Sequence, residues 1–241
     1  MKKRLFIFMV LLLMHVMLSA PSFAAADKGS EVIDTEKLDT VVLGQMDKHG
    51  LPGVALAVIQ DGEVIFQKGY GKDGNGDLMT AQTKVYVGSQ SKSFTALAIA
   101  QLAEQGKLDL NATVQTYIPW FRAADEKESG KITINHLLHH TSGLSDAGYG
   151  VILPLDNRLE DAVRSLAKAK LTAPVGAKFQ YFNMGYTVLA YLIELQSGRS
   201  YSEYINENIL VPLGMADSTA DPSTAADMPK GHTRLFGFSI P

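Results

Sequence analysis

The chain has 241 residues, 46% hydrophobic and 20% charged, with a net charge of −3 and no cysteine; this is the composition of one large globular domain or two small ones. No basic cluster occurs outside the first four residues, which argues against nucleic acid as the main partner, because phosphate binding needs gathered Lys and Arg. The lack of cysteine excludes disulfides, thiolate nucleophiles, thiolate-held zinc and a lipid-modified N-terminal Cys.

The first element is a leader. Lys2, Lys3 and Arg4 precede an apolar run of 14 residues from Leu5 to Leu18, and Ser22-Phe23-Ala24 offers a small-x-small cleavage site before Ala25. This is the layout of a secretory signal. As a helix the run is about 21 Å long, short of a ~30 Å hydrocarbon layer, so cleavage near Ala24 is expected rather than a retained anchor. Residues 1–24 are read as signal peptide, and the mature protein as secreted or extracytoplasmic, with no stable membrane span. Its stability must come from a packed core.

Asp27 to Ser30 reads as a linker. Leu38, Val41, Val42 and Met46 recur at helical spacing over Thr35 to His49, with Gly50 as the stop. Two β-rich runs, from Val54 and from Glu63, flank Asp61-Gly62, a hairpin signal. Gly69 to Asp77 reads as a glycine-rich loop. Helices are expected over Ser91 to Gln105, Ile134 to His139, Arg158 to Lys170, Tyr186 to Ser197 and Tyr201 to Ile209. The chain after Asp221 reads as irregular, with no closing element.

Three patterns imitate binding motifs. Gly69-Tyr70-Gly71-Lys72-Asp73-Gly74 fits G-x-G-x-x-G, but Asn75-Gly76-Asp77 follows where a dinucleotide site needs a helix. Asp73, Asn75 and Asp77 resemble the start of a calcium loop, yet Leu78 stands where Gly is required and Lys84 where Glu is. His136, His139 and His140 lack an accompanying carboxylate ligand and read as packing or capping groups. No metal or cofactor is implied.

Two further patterns carry chemistry. Ser89-Gln90-Ser91-Lys92 is S-x-x-K, directly after Gly88 and at the start of a helix. Residues i and i+3 share a helix face, so the Lys92 amine reaches the Ser89 hydroxyl. A serine hydroxyl is a weak nucleophile until a neighbour takes its proton. The plainer reading is that Ser89 caps the helix while Lys92 is solvated. Tyr181-Phe182-Asn183 lies on a loop before a helix. Tyr181 could relay a proton if cations stabilise its phenolate, and Asn183 could hold both Lys92 and a substrate amide. The plainer reading there is a buried aromatic pair with a capping Asn.

The two patterns, in this order, resemble the serine penicillin-recognising enzymes: class C β-lactamases, DD-peptidases of the penicillin-binding group and related esterases. The segment 87–95 around Ser89 is similar to that family's nucleophile segment. The stretches Ile134 to Leu144 and Tyr201 to Met215 are similar to two further signatures, and the likeness runs from about Leu38 to Thr219. The resemblance implies an α/β fold, an antiparallel sheet flanked by helices plus an all-helical subdomain, with Ser89 between them. It implies Ser89 as acylated nucleophile, Lys92 as its activator, Tyr181 as proton-transfer partner and Asn183 as orienter, acting on a β-lactam, a D-Ala-D-Ala peptide or a small ester.

One departure bears on activity. The family's third motif, Lys-Thr-Gly or His-x-Gly, does not follow Asn183; Lys230-Gly231-His232 has the wrong order. In the family that strand supplies an oxyanion-hole donor, and losing one such donor costs about 10²–10³ in rate. Residues 25–241 therefore read as a partial serine-hydrolase domain with an incomplete sheet, truncated before that motif. An open sheet edge would promote association, and the missing oxyanion donor would slow turnover. The alternative reading is a catalytically weak or inactive protein that holds peptidoglycan or a partner.

Overall fold

The computed structural model describes residues 33–146, 158–221, 223–224, 228–235 and 238–240. The leader and the linker after it lie outside the described residues. The chain divides into two compact units, Met1–Thr83 with Lys230–Pro241, and Lys84–Pro229.

In the first unit, helix α1 (Thr35–His49) begins where the Asp34 carboxylate accepts from Lys37 N and ends where Gly50 turns left-handed at φ 60°. Strands β1 (Gly53–Gln60) and β2 (Glu63–Gly71) pair antiparallel, with Gln60 opposite Glu63. Both turn residues have positive φ, Asp61 at 52° and Gly62 at 86°, the geometry that an Asp-Gly turn supplies. Val54 lies opposite Tyr70 and Val58 opposite Phe66, with a bulge between Val58 and Ile59. Asp39 of α1 ties down β2, accepting from Lys68 Nζ and Tyr70 Oη at 2.7 Å each.

Two expectations fail here. The glycine-rich stretch is not all loop, because β2 continues through Gly69 to Gly71. A Cβ on Gly69 would overlap the Met79 carbonyl and one on Gly71 the Pro52 carbonyl, so these glycines admit close backbone approach inside a strand. The C-terminal stretch is not all irregular either: β3 (Thr233–Leu235) and β4 (Phe238–Ile240) form a short antiparallel hairpin.

The second unit is helical and holds most of the core. Helix α2 (Ser91–Glu104) follows a 3₁₀ turn at Gly88–Gln90 and buries Ala98, Ile99 and Leu102. Short helices α3 (Val114–Tyr117), α4 (Glu126–Ser129) and α5 (Ile134–Leu138) follow. Next comes α6 (Leu159–Ser165), which tightens into a 3₁₀ turn at Leu166–Lys168. Helix α7 (Asn183–Ser197) is the central element, burying Met184, Val188, Leu189, Leu192 and Ile193. It starts at Asn183, three residues before the expected Tyr186. Helix α8 (Tyr201–Ile205) opens with a Ser200–Glu203 capping box and relaxes into a π turn at Asn206–Leu210. Leu102, Phe121, Leu137, Phe182 and Leu189 are at most 1% exposed and share one cluster.

Candidate active site

The site lies within the second unit and is assembled from the 3₁₀ turn with α2, the stretch from α5 to Asp146, and the segment that leads through Tyr181 into α7. Gly88 enters the 3₁₀ turn at φ 53°, a conformation that glycine adopts without a Cβ penalty. Ser89 therefore sits on the turn before α2, exposed, and Lys92 on the first turn of α2, half-buried. Ser89 Oγ lies 2.7 Å from Tyr181 Oη and accepts from Lys92 Nζ at 3.2 Å. Lys92 Nζ also donates to Asn183 Oδ1 at 2.8 Å. All four residues expected from the sequence thus meet at one place. Neither plainer reading holds, since no side chain caps α2 and Asn183 is spent on Lys92 rather than on a cap.

Tyr181 has one edge open, at 40% exposure. Its ring lies 4.5 Å from that of His140, and Lys92 Nζ stands 4.8 Å from its centroid. The Lys92 ammonium and then the Ser89 hydroxyl stabilise the phenolate through hydrogen bonding and hold the Tyr181 pKa below the ordinary phenol range, against a smaller opposing effect of burial.

Two further residues complete the arrangement: His140, expected from the sequence only as a packing or capping group, and Asp146, which the sequence does not mark. His140, 8% exposed and at φ 56°, accepts from Phe182 N at Nδ1, 3.1 Å away. Its pKa lies below the usual imidazole value, chiefly through burial and then through the Lys92 charge. Asp146 accepts from Asn183 N at 2.9 Å and from Asn183 Nδ2 at 2.7 Å. The stretch ending at Leu144 pointed towards His140; no spacing pattern marks Asp146.

The imitations have local explanations. Asp73 Oδ1 accepts from the backbone N–H groups of Asn75 and Asp77. His136 closes a capping box with Thr133, and His139 Nδ1 lies 2.9 Å from Asn135 O. Among the described residues no group of three or more His, Asp or Glu is placed to hold a metal.

A groove of about 410 Å³ opens beside Ser89, lined by Lys92, Thr95, Leu159, Asn183, Tyr186 and Tyr201. Tyr201 Oη and Thr95 Oγ1 are 2.8 Å apart on its wall. A second cavity of about 480 Å³, beside Trp120 and Arg164, contains none of the four residues.

The family model described as "Beta-lactamase" matches residues 38–235. The chain belongs to the Beta-lactamase family. Protein flp of Staphylococcus aureus strain MW2 is 34% identical over 188 residues, 76% of this chain and 38% of that protein. The putative penicillin-binding protein PbpX of Bacillus subtilis strain 168 is 32% identical over 194 residues, 79% of this chain and 46% of the relative. The chain thus spans less than half the length of these curated relatives. Among solved structures, the octameric penicillin-binding protein homologue from Pyrococcus abyssi superposes with a TM-score of 0.72 at 32% identity, over 87% of this chain and 50% of the other. The β-lactamase and DD-peptidase fold expected from the sequence is the fold found.

Proposed function

We propose that the chain carries a serine acyl-transfer site in which Ser89 is the nucleophile. The observation that carries the proposal is the placement of Ser89 Oγ between Tyr181 Oη and Lys92 Nζ. Ser89 Oγ attacks an acyl carbon while its proton passes to the Tyr181 phenolate, whose charge the Lys92 ammonium stabilises. The tetrahedral adduct collapses to an acyl-serine, and the departing amine or alkoxide takes the proton back from Tyr181. Water then attacks the acyl-serine and returns the hydroxyl to Ser89. The substrate class is a β-lactam, a D-Ala-D-Ala peptide or a small ester, and the penicillin-binding relatives support the first two.

A fluorescent penicillin or fluorophosphonate labels the wild-type chain on this reading, and Ser89→Ala abolishes labelling. Lys92→Ala suppresses it, whereas Lys170→Ala, an exposed lysine beyond the 3₁₀ turn after α6, leaves it intact. Equal labelling of the Ser89→Ala variant would sink the assignment.

We propose further that the protein is exported and cleaved near Ala24, on the strength of Lys2-Lys3-Arg4, the apolar run and Ser22-Phe23-Ala24. Mass spectrometry of protein recovered outside the cytoplasm then finds Ala25 at the N-terminus; a full-length species held in the membrane contradicts this.

A further inference from the structure

Asp146 uses both carboxylate oxygens on one residue. Oδ1 accepts from the backbone N–H of Asn183, at the start of α7, and Oδ2 accepts from the side-chain Nδ2 of the same residue. A carboxylate can only accept, so the Asn183 amide must turn its NH₂ towards Asp146. Its carbonyl oxygen then faces the other way, 2.8 Å from Lys92 Nζ, which is donor-only. Both neighbours of Asn183 demand the same amide orientation, and the reverse flip would set two donors against each other at Lys92. From Lys92 Nζ the next hydrogen bond runs 3.2 Å to Ser89 Oγ.

The base of this relay is braced. Gly143 O accepts from Thr172 N at 2.8 Å, Leu144 is 1% exposed, and Ser145 Oγ lies 3.1 Å from Thr172 Oγ1. The turn that carries Asp146 is therefore tied to the segment that leads to Tyr181. A carboxylate that only capped α7 would satisfy the helix dipole and a backbone N–H; the second bond, to the side-chain amide, is what reaches the reacting group.

We propose that Asp146 is a positioning residue for acylation: it fixes the flip of the Asn183 amide and so aims the Lys92 ammonium at Ser89. This rests on Ser89 being the acylated nucleophile. It also divides the work of Asn183, whose carbonyl and one amide hydrogen are committed inside the protein, leaving one hydrogen for a substrate carbonyl.

The test is a fluorophosphonate labelling series on the full chain. Asp146→Asn replaces one acceptor by a donor and drives the Asn183 amide to flip, turning its NH₂ on Lys92. The maximal labelling rate is expected to fall 10- to 100-fold, as misplacement of a reacting group does, while the half-saturating reagent concentration stays within twofold. In an Asn183→Ala background the same substitution is expected to change the rate less than threefold, because the amide it orients is gone. If Asp146→Asn does not melt cooperatively, Asp146→Glu replaces it, keeping the charge but moving it out by one methylene, with the same expected loss. A fall of less than tenfold, or a full additional loss in the Asn183→Ala background, overturns the proposal and leaves Asp146 as a helix cap. Failure of the wild-type chain to label at Ser89 would instead overturn the acyl-transfer reading itself.

Discussion

Tyr181 is the residue on which the proposed proton transfer turns, and its hydroxyl can be removed without its ring. In Tyr181→Phe the ring still stacks on His140, 4.5 Å away, while the group 2.7 Å from Ser89 Oγ is lost. Acylation is expected to slow by about 10²–10⁴-fold, the span of a general acid–base contribution, with little change in melting temperature; single-turnover labelling and a thermal melt read the two effects. His140 gives a pH-dependent counterpart. Its folded pKa lies below the ordinary imidazole value of about 6.5, so just below pH 6.5 the unfolded chain binds a proton that the folded chain does not. Stability from this group is fully present above about pH 6.5 and is lost as the pH falls towards the folded pKa. The melting temperature of the wild-type chain should therefore drop between pH 7.5 and 5.5 by more than that of His140→Asn. That variant tolerates the positive φ and still offers an acceptor to Phe182 N.

At the scale of elements, the turn before Asp146 is the sensitive one. Gly143 has φ 79°, and a Cβ there would overlap the Ala173 carbonyl, whereas Gly106 has φ 72° with open space around it. Gly106→Ala bears only the left-handed cost of about 1–2 kcal/mol. Gly143→Ala must also displace the Ala173 backbone, so urea unfolding should show the larger loss, and labelling should slow because the turn holds Asp146. The elements that sequence made legible were those with their own periodicity or turn chemistry. Helix α1 with its Gly50 stop, the Asp61-Gly62 hairpin and α2 ahead of Gly106 belong to this group. Four-residue helices such as α3 and α4 have too few turns to show a period. Helix α7 starts three residues before the position its periodicity indicates because Asn183 is anchored by Asp146, a tertiary bond from 37 residues away. Ser89, Lys92, Tyr181 and Asn183 were legible through short spacings and a family likeness; Asp146 was not, because only the folded chain brings it to Asn183.

Across the whole molecule, burial is unevenly shared. Among the described residues the buried hydrophobics of the first unit are Met46 and Tyr70, while Val64 and Ile59 are 55% and 65% exposed. The second unit contains the contiguous cluster from Ala98 to Leu210. A two-stranded hairpin with so little cover is marginal in isolation, and amide exchange follows local burial. Hydrogen exchange should find the amides of α2 and α7 the slowest in the chain and those of β1 and β2 faster by orders of magnitude; uniform protection of both units would contradict that division of stability.

The central claim is that an acyl group passes through Ser89. The most direct measurement is to quench the chain with acid during reaction with p-nitrophenyl acetate and to locate the adduct by tandem mass spectrometry. The account predicts one acetyl group per chain, on Ser89, and none in Tyr181→Phe quenched at the same time. An acetyl group on Ser91, Ser93 or a lysine, or release of p-nitrophenol with no adduct at Ser89, would contradict it.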